Sequence, residues 1–213
     1  MPSALDWRPI YDFWFHADLS KAGVQDHWRM LAWWMRGGAN SELPRFEPVV
    51  EAARAGRLDH WLATPLGRLS LVVVLDQFPR GLYPGRPQAY SSDPQTLEIV
   101  EDGFRNGHCD ALTDLYERFF YFLPLAHAEG PDHRQRMQRV VEISEVVVAE
   151  VPEDLRPLWA FSLSQARANY AVIERFGRFP HRNAILGRDS TPEELAYLKN
   201  GDFVHNRTLP VSV

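Results

Sequence analysis

The run "LSLVVVLDQF", residues 69–78, decides the fold. Read by itself it is rich in β-branched residues and apolar almost throughout, which is the composition of a buried strand. Its flanks argue the other way. Thr64 followed by Pro65 places a capping residue before a proline at the first helical position. Pro79 supplies a stop, because the residue before a proline avoids the helical region. The stretch from Pro65 to Phe78 has the length of a helix, so a buried helix is predicted.

The same ambiguity arises in "MQRVVEISEVVVAEV", residues 137–151. Its apolar or small positions are Met137, Val140, Val141, Ser144, Val147 and Val148. That spacing follows the helical period and not the alternation of a strand. Arg139, Glu142 and Glu145 fall between, so an amphipathic helix is predicted despite the valines.

The remaining segments carry helix punctuation. Further helices are expected over Pro9–His16, Gln25–Met35 and Arg45–Ala55, with Gly56 ending the last. Asp93-Pro94 opens one that ends near Gly107. Asp114, with Glu117 three residues on, starts "LYERFFYF" in the manner of a capping box, and Pro124 interrupts that helix. Another runs from Pro157 to Phe176, where Gly177 suits a left-handed terminal residue. Thr191-Pro192-Glu193-Glu194 opens the last, which Asn200-Gly201 ends. No segment is a convincing strand. The expectation is one all-α domain over residues 1–213, with about nine helices and sequential neighbours antiparallel. No repeat near 34 or 40 residues stands out.

Composition narrows the functional classes. A formal net charge of -5 argues against a nucleic-acid partner, since phosphate binding calls for a basic surface. Cys109 is the single cysteine, so no internal disulfide forms and nothing points to an oxidising compartment. The N-terminus lacks the features of a signal peptide, and no apolar run approaches the ~18–20 residues of a membrane span. A soluble cytoplasmic protein without a membrane partner is expected. Five of the seven tryptophans precede residue 35, which suits an aromatic core or, alternatively, a homodimer interface.

Three passages carry more polar chemistry than packing requires. In "LDQFPRGLYPG", residues 75–85, Asp76 and Gln77 end an otherwise apolar helix. A buried carboxylate there needs a partner, and an arginine such as Arg80 is the natural one. In "FLPLAHAE", residues 122–129, His127 and Glu129 follow Pro124. Histidine titrates near neutral pH and serves as acid, base or hydrogen-bond donor. In "RFGRFPHRNAILGRDSTPEE", residues 175–194, Arg178, His181, Arg182 and Asn183 form a donor-rich turn suited to carboxylate or phosphate. No metal site is expected, because His108-Cys109 lacks a second ligand pair. The common nucleophile, nucleotide and zinc signatures are missing, and no cofactor is expected.

These residues resemble a bacterial family, domain-of-unknown-function 924. The resemblance rests on "LDQFPR", "FLPLAHAE" and "RFGRFPHRNAILGRDSTPEELAYL", with "DFWF" (12–15) and "GRLDHWLATPLGRL" (56–69). It implies a tetratricopeptide-like helical array and no established activity. The chain departs from the family pattern at Ala126, where an acidic residue is expected, and at Asn169, where a histidine is.

The functional expectation is a binding protein for a small anion or peptide. Its polar hollow would draw on Asp76, Gln77, Arg80, Glu129, Arg178, Arg182 and Asn183. One alternative is a hydrolase or lyase with His127 or His181 as general acid/base. The other is a structural or interaction scaffold.

Overall fold

A computed structural model describes residues 6–200. Among these residues there are nine α-helices and no strand. The helices are α1 Arg8–Trp14, α2 Val24–Met35, α3 Glu47–Arg54, α4 Pro65–Leu82, α5 Asp93–Arg105, α6 Leu115–His127, α7 His133–Glu150, α8 Arg156–Phe176 and α9 Pro192–Lys199. The chain forms two compact units. One holds residues up to Asp18 together with Gly37–Ala128, and the other holds Leu19–Arg36 and the chain from Glu129 onward.

In the first unit, α4 is the centre. Every residue from Gly67 to Pro79 is buried, as expected of a helix that is apolar on all sides. α1, α3, α5 and α6 pack around it. Trp14 of α1 lies edge-on to Phe120 and against Phe78, at centroid distances of 5.4 and 5.7 Å. Burial of side chains such as Leu69, Leu71, Val74 and Leu75 contributes about 1.5–3 kcal/mol each. The start of α4 follows the sequence: Thr64 accepts a hydrogen bond from the Gly67 backbone N–H.

Two predicted stops do not occur. α4 continues through Pro79 to Leu82, and α6 continues through Pro124 to His127. An interior proline removes one helical hydrogen bond and costs about 3 kcal/mol. Tertiary packing outweighs that cost. Leu125 and Ala126, beyond Pro124, are buried. Gly81, beyond Pro79, lies so close to Leu43 that a Cβ would meet Leu43 Cδ1 at 2.4 Å. The expected helix over Arg45–Ala55 divides into a 3-10 turn, Leu43–Phe46, and α3. At α6, Asp114 caps the Tyr116 and Glu117 amides, whereas the Glu117 side chain accepts a hydrogen bond from Tyr11 Oη.

In the second unit, α7 and α8 pair antiparallel. Arg134 reaches Glu174 and Arg167 reaches Glu145, both at 2.8 Å, so the start of one helix meets the end of the other. Trp28 of α2 packs near Phe161 of α8. Gly177 ends α8 with φ of 69°, the left-handed conformation that glycine adopts without penalty. A 3-10 turn, Pro180–Arg182, follows, and the capping box of Thr191 and Glu194 opens α9 as predicted. Asn200 closes α9, while Gly201 lies outside the described residues.

Candidate functional site

The polar residues singled out from the sequence assemble into two clusters, one in each unit. The cluster of the first unit centres on Asp76, which is wholly buried in the fourth turn of α4. Its carboxylate faces Nδ1 of His127, the last residue of α6, with Oδ1 at 2.8 Å and Oδ2 at 3.0 Å. The Gln77 amide donates to Oδ2. Arg80, one turn further along α4, places Nη1 at 3.2 Å from Oδ1. Its Nη2 donates to both oxygens of Asp93, at 2.9 and 3.0 Å, and its guanidinium lies over the Tyr90 ring. The result is a row of four side chains, Asp93–Arg80–Asp76–His127, drawn from three helices.

The electrostatics follow from that row. Burial pushes the Asp76 carboxyl upward, but Arg80, His127 and the Gln77 hydrogen bond outweigh it and hold the group down to about 2. Asp76 is therefore ionised across the physiological range. An ionised carboxylate can only accept, so the proton between the two groups belongs to Nδ1 of His127. The lone pair of the neutral ring then falls on Nε2. The His127 side chain is 22% exposed, whereas Asp76 is fully enclosed. This arrangement presents one face of a carboxylate-oriented imidazole and shields its partner.

The second cluster is built on the arginine-rich turn. Arg178 grips Glu194 with two bonds, Nε to Oε1 at 2.7 Å and Nη2 to Oε2 at 2.9 Å. Glu194 also accepts from the Thr191 backbone N–H and the buried Asn183 amide. The Arg178 hydrogen bond, working against burial, holds Glu194 down to about 2. Glu129 accepts from both terminal nitrogens of Arg188 and from the Phe179 backbone N–H, the last at 2.7 Å. Burial would raise Glu129, but the Arg188 and Phe179 hydrogen bonds and the Arg182 charge carry it below the usual carboxylate range. Arg182 is buried, with its guanidinium 4.7 Å from the Phe179 ring centroid. His181 stands in the 3-10 turn with its ring 5.4 Å from that of Phe179.

Asp76, Gln77, Arg80 and His127 thus meet in the first unit, and Glu129, Arg178, Arg182 and Asn183 gather in the second, where the His181 ring is tilted against that of Phe179. The sequence reading missed Asp93 as a member of the first cluster. Its only sequence signal was Asp-Pro at a helix start, which a cap explains equally well. Among the described residues, no group of three or more His, Cys, Asp or Glu side chains is placed to hold a metal ion. No helix there is long and apolar enough to cross a membrane.

Fold and site together define an all-helical protein with a carboxylate–histidine pair at its first core. The chain belongs to the family described as bacterial protein of unknown function (DUF924), whose model matches residues 10–202. It is similar to the solved structure of a protein of unknown function, ATU0120, from Agrobacterium tumefaciens. The two share 31% sequence identity with a TM-score of 0.67, over 92% of this chain and 97% of the other. No curated protein is significantly similar to it.

Proposed function

We propose that the protein is an acid–base catalyst of hydrolase or lyase type, with His127 as the group that exchanges the proton. The observation that carries this reading is the 2.8 Å contact between a fully buried, ionised Asp76 and Nδ1 of a partly exposed His127. A carboxylate on one imidazole nitrogen fixes the tautomer and ring orientation, so that the other nitrogen accepts and returns a proton in a set direction. General acid–base groups of this kind contribute about 10²- to 10⁴-fold to a rate.

The geometry favours this reading over binding of a small anion or peptide. Arg178, one of the arginines of the donor-rich turn, already grips Glu194, and Glu129, beside that turn, is already held by Arg188. A histidine aligned by a buried carboxylate has chemistry to offer beyond stabilising the fold. A purely structural cluster remains the competing account, and activity separates the two.

The test is a hydrolase and lyase substrate screen on the intact protein, followed by His127→Gln and Asp76→Asn. Loss of activity in the first, with kcat reduced and KM held in the second, supports the proposal. Full turnover in His127→Gln would remove His127 from the chemistry.

A further inference from the structure

We propose that Glu117 of α6, with the rings of Tyr11 and Phe15 beside it, forms a binding site for an alkylammonium group. This site goes beyond the acid–base reading and stands without it. Glu117 lies near the start of α6 and His127 at its end, about 15 Å apart along the helix axis.

Four carboxylate side chains are buried among the described residues: Asp76, Asp93, Glu117 and Glu194. Three of them pair with an arginine, Asp76 and Asp93 with Arg80 and Glu194 with Arg178. Glu117 is the exception. It is 7% exposed, and its carboxylate receives one hydrogen bond, from Tyr11 Oη. No basic side chain among the described residues forms an ion pair with it. Arg8, on the same helix as Tyr11, pairs with Asp6 and sets its guanidinium 4.9 Å from the Trp7 ring centroid. Arg118, next to Glu117 in the chain, makes no ion pair. Burying a carboxylate is costly unless a cation matches it. The Tyr11 phenol supplies a hydrogen bond but no charge, so the matching charge is left to a ligand.

The surroundings select an organic cation. Trp7, Tyr11 and Phe15 recur every fourth residue and so share one face along α1. The Tyr11 and Phe15 ring centroids are 4.9 Å apart, and Phe15 lies 5.8 Å from Phe120 of α6. Tyr11 and Phe15 are half-buried, which leaves this side of the Glu117 carboxylate open to solvent. Aromatic faces attract cations through the ring quadrupole, and Arg8 over Trp7 shows this face doing so. Burial and the Glu117 hydrogen bond push the Tyr11 phenol up, and the charges of Glu117, Asp114 and Asp12 add to the shift. The phenol therefore keeps its proton and Glu117 remains the acceptor. Among the described residues no three His, Cys, Asp or Glu side chains are placed to hold a metal ion. An alkylammonium asks for less: a carboxylate for its N–H donors and apolar rings for its methylene chain.

A merely structural role, docking α1 onto α6, needs the hydrogen bond and not the charge. Glu117→Gln separates the two, because glutamine still offers Tyr11 an acceptor. The full-length protein is titrated with butylammonium chloride and, in a parallel arm, with Nα-acetyl-lysine amide. Ionic strength is held constant, butanol is the neutral control, and the Tyr11 and Phe15 ring resonances are followed by NMR. Saturable shifts are expected with the ammonium compounds and not with butanol. Glu117→Gln should weaken binding about tenfold to hundredfold, the loss of one charge-assisted hydrogen bond. Phe15→Leu, which keeps the carboxylate, should weaken it about two- to fivefold. Tighter binding of butylammonium assigns the site to a free amine, and tighter binding of the lysine amide to a lysine side chain of a partner. The proposal is overturned if neither compound moves either ring, if butanol binds as well as butylammonium, or if Glu117→Gln binds as tightly as the original. If Glu117→Gln does not fold, Phe15→Leu decides, with unchanged affinity counting against the site.

Discussion

Replacing Asp76 by asparagine tests whether the buried carboxylate works through its charge. The side chain is wholly enclosed and receives Arg80, His127 and Gln77. Asparagine keeps the shape but removes the charge on which those donors converge. Breaking a buried pair by removing one member costs about 3–5 kcal/mol, and part of that cost must depend on pH. The Asp76 carboxyl is lowered from 3.8 to about 2, which corresponds to about 2 kcal/mol of stability. A folded-state value below the unfolded one stabilises the protein above 3.8, and the contribution fades as pH falls towards 2. By linkage, about 1 kcal/mol of it disappears between about pH 5 and about pH 3. Urea unfolding of the original protein and of Asp76→Asn across that interval reads the difference directly. Carboxylates common to both proteins cancel, so the stability gap should narrow by about 1 kcal/mol on acidification. A gap that stays constant or widens would refute an Asp76 held ionised by its partners.

Two further expectations concern packing and capping. A Cβ on Gly103 would lie 1.6 Å from Tyr121 Oη and 2.8 Å from Arg68 Cδ, so Gly103→Ala should destabilise by about 1–3 kcal/mol even though alanine favours helix. Thermal unfolding checks this: Tyr121→Phe should recover part of the loss, and a Gly103→Ala protein as stable as the original would contradict the geometry. At α9, Thr191→Ala removes one capping bond and should cost about 1 kcal/mol. Glu194→Ala should cost more, because it also strips Arg178 and Asn183 of their acceptor. Hydrogen exchange of the α9 amides together with global unfolding ranks the two, and equal losses would show that the Arg178 pair adds nothing.

Much of the fold was legible in the sequence because its signals are local. Thr64-Pro65, Asp114, Gly177 and the Thr191–Glu194 capping box act within a few residues of themselves. The helical period of residues 137–151 overrode the strand propensity of valine for the same reason. The local signals that tertiary packing overrides are Pro79 and Pro124, which lie inside their helices. Each costs its helix a bond, but the residues beyond them are buried or closely packed, and only distant parts of the chain decide that.

The candidate site divides along the same line. Asp76 calling for an arginine was readable from burial and charge, and Arg80 lies on the same helix one turn away. His127 was singled out, but with Ala126 before it no acid partner was evident nearby. That partner is Asp76, 51 positions earlier in the chain. Asp93 reads locally as a helix start and Arg178 as an arginine of the donor-rich turn, whereas their partners Arg80 and Glu194 lie 13 and 16 positions away.

The sequence by itself determined that this chain is helical, where most of its helices begin, and which polar residues needed partners. Tertiary structure alone decided which partners they found: histidine for Asp76, glutamates for the arginines of the turn. The physical reason is range. Caps and helical periodicity operate over one or two turns, whereas a buried ion pair exists only where packed helices bring together residues that the chain keeps far apart.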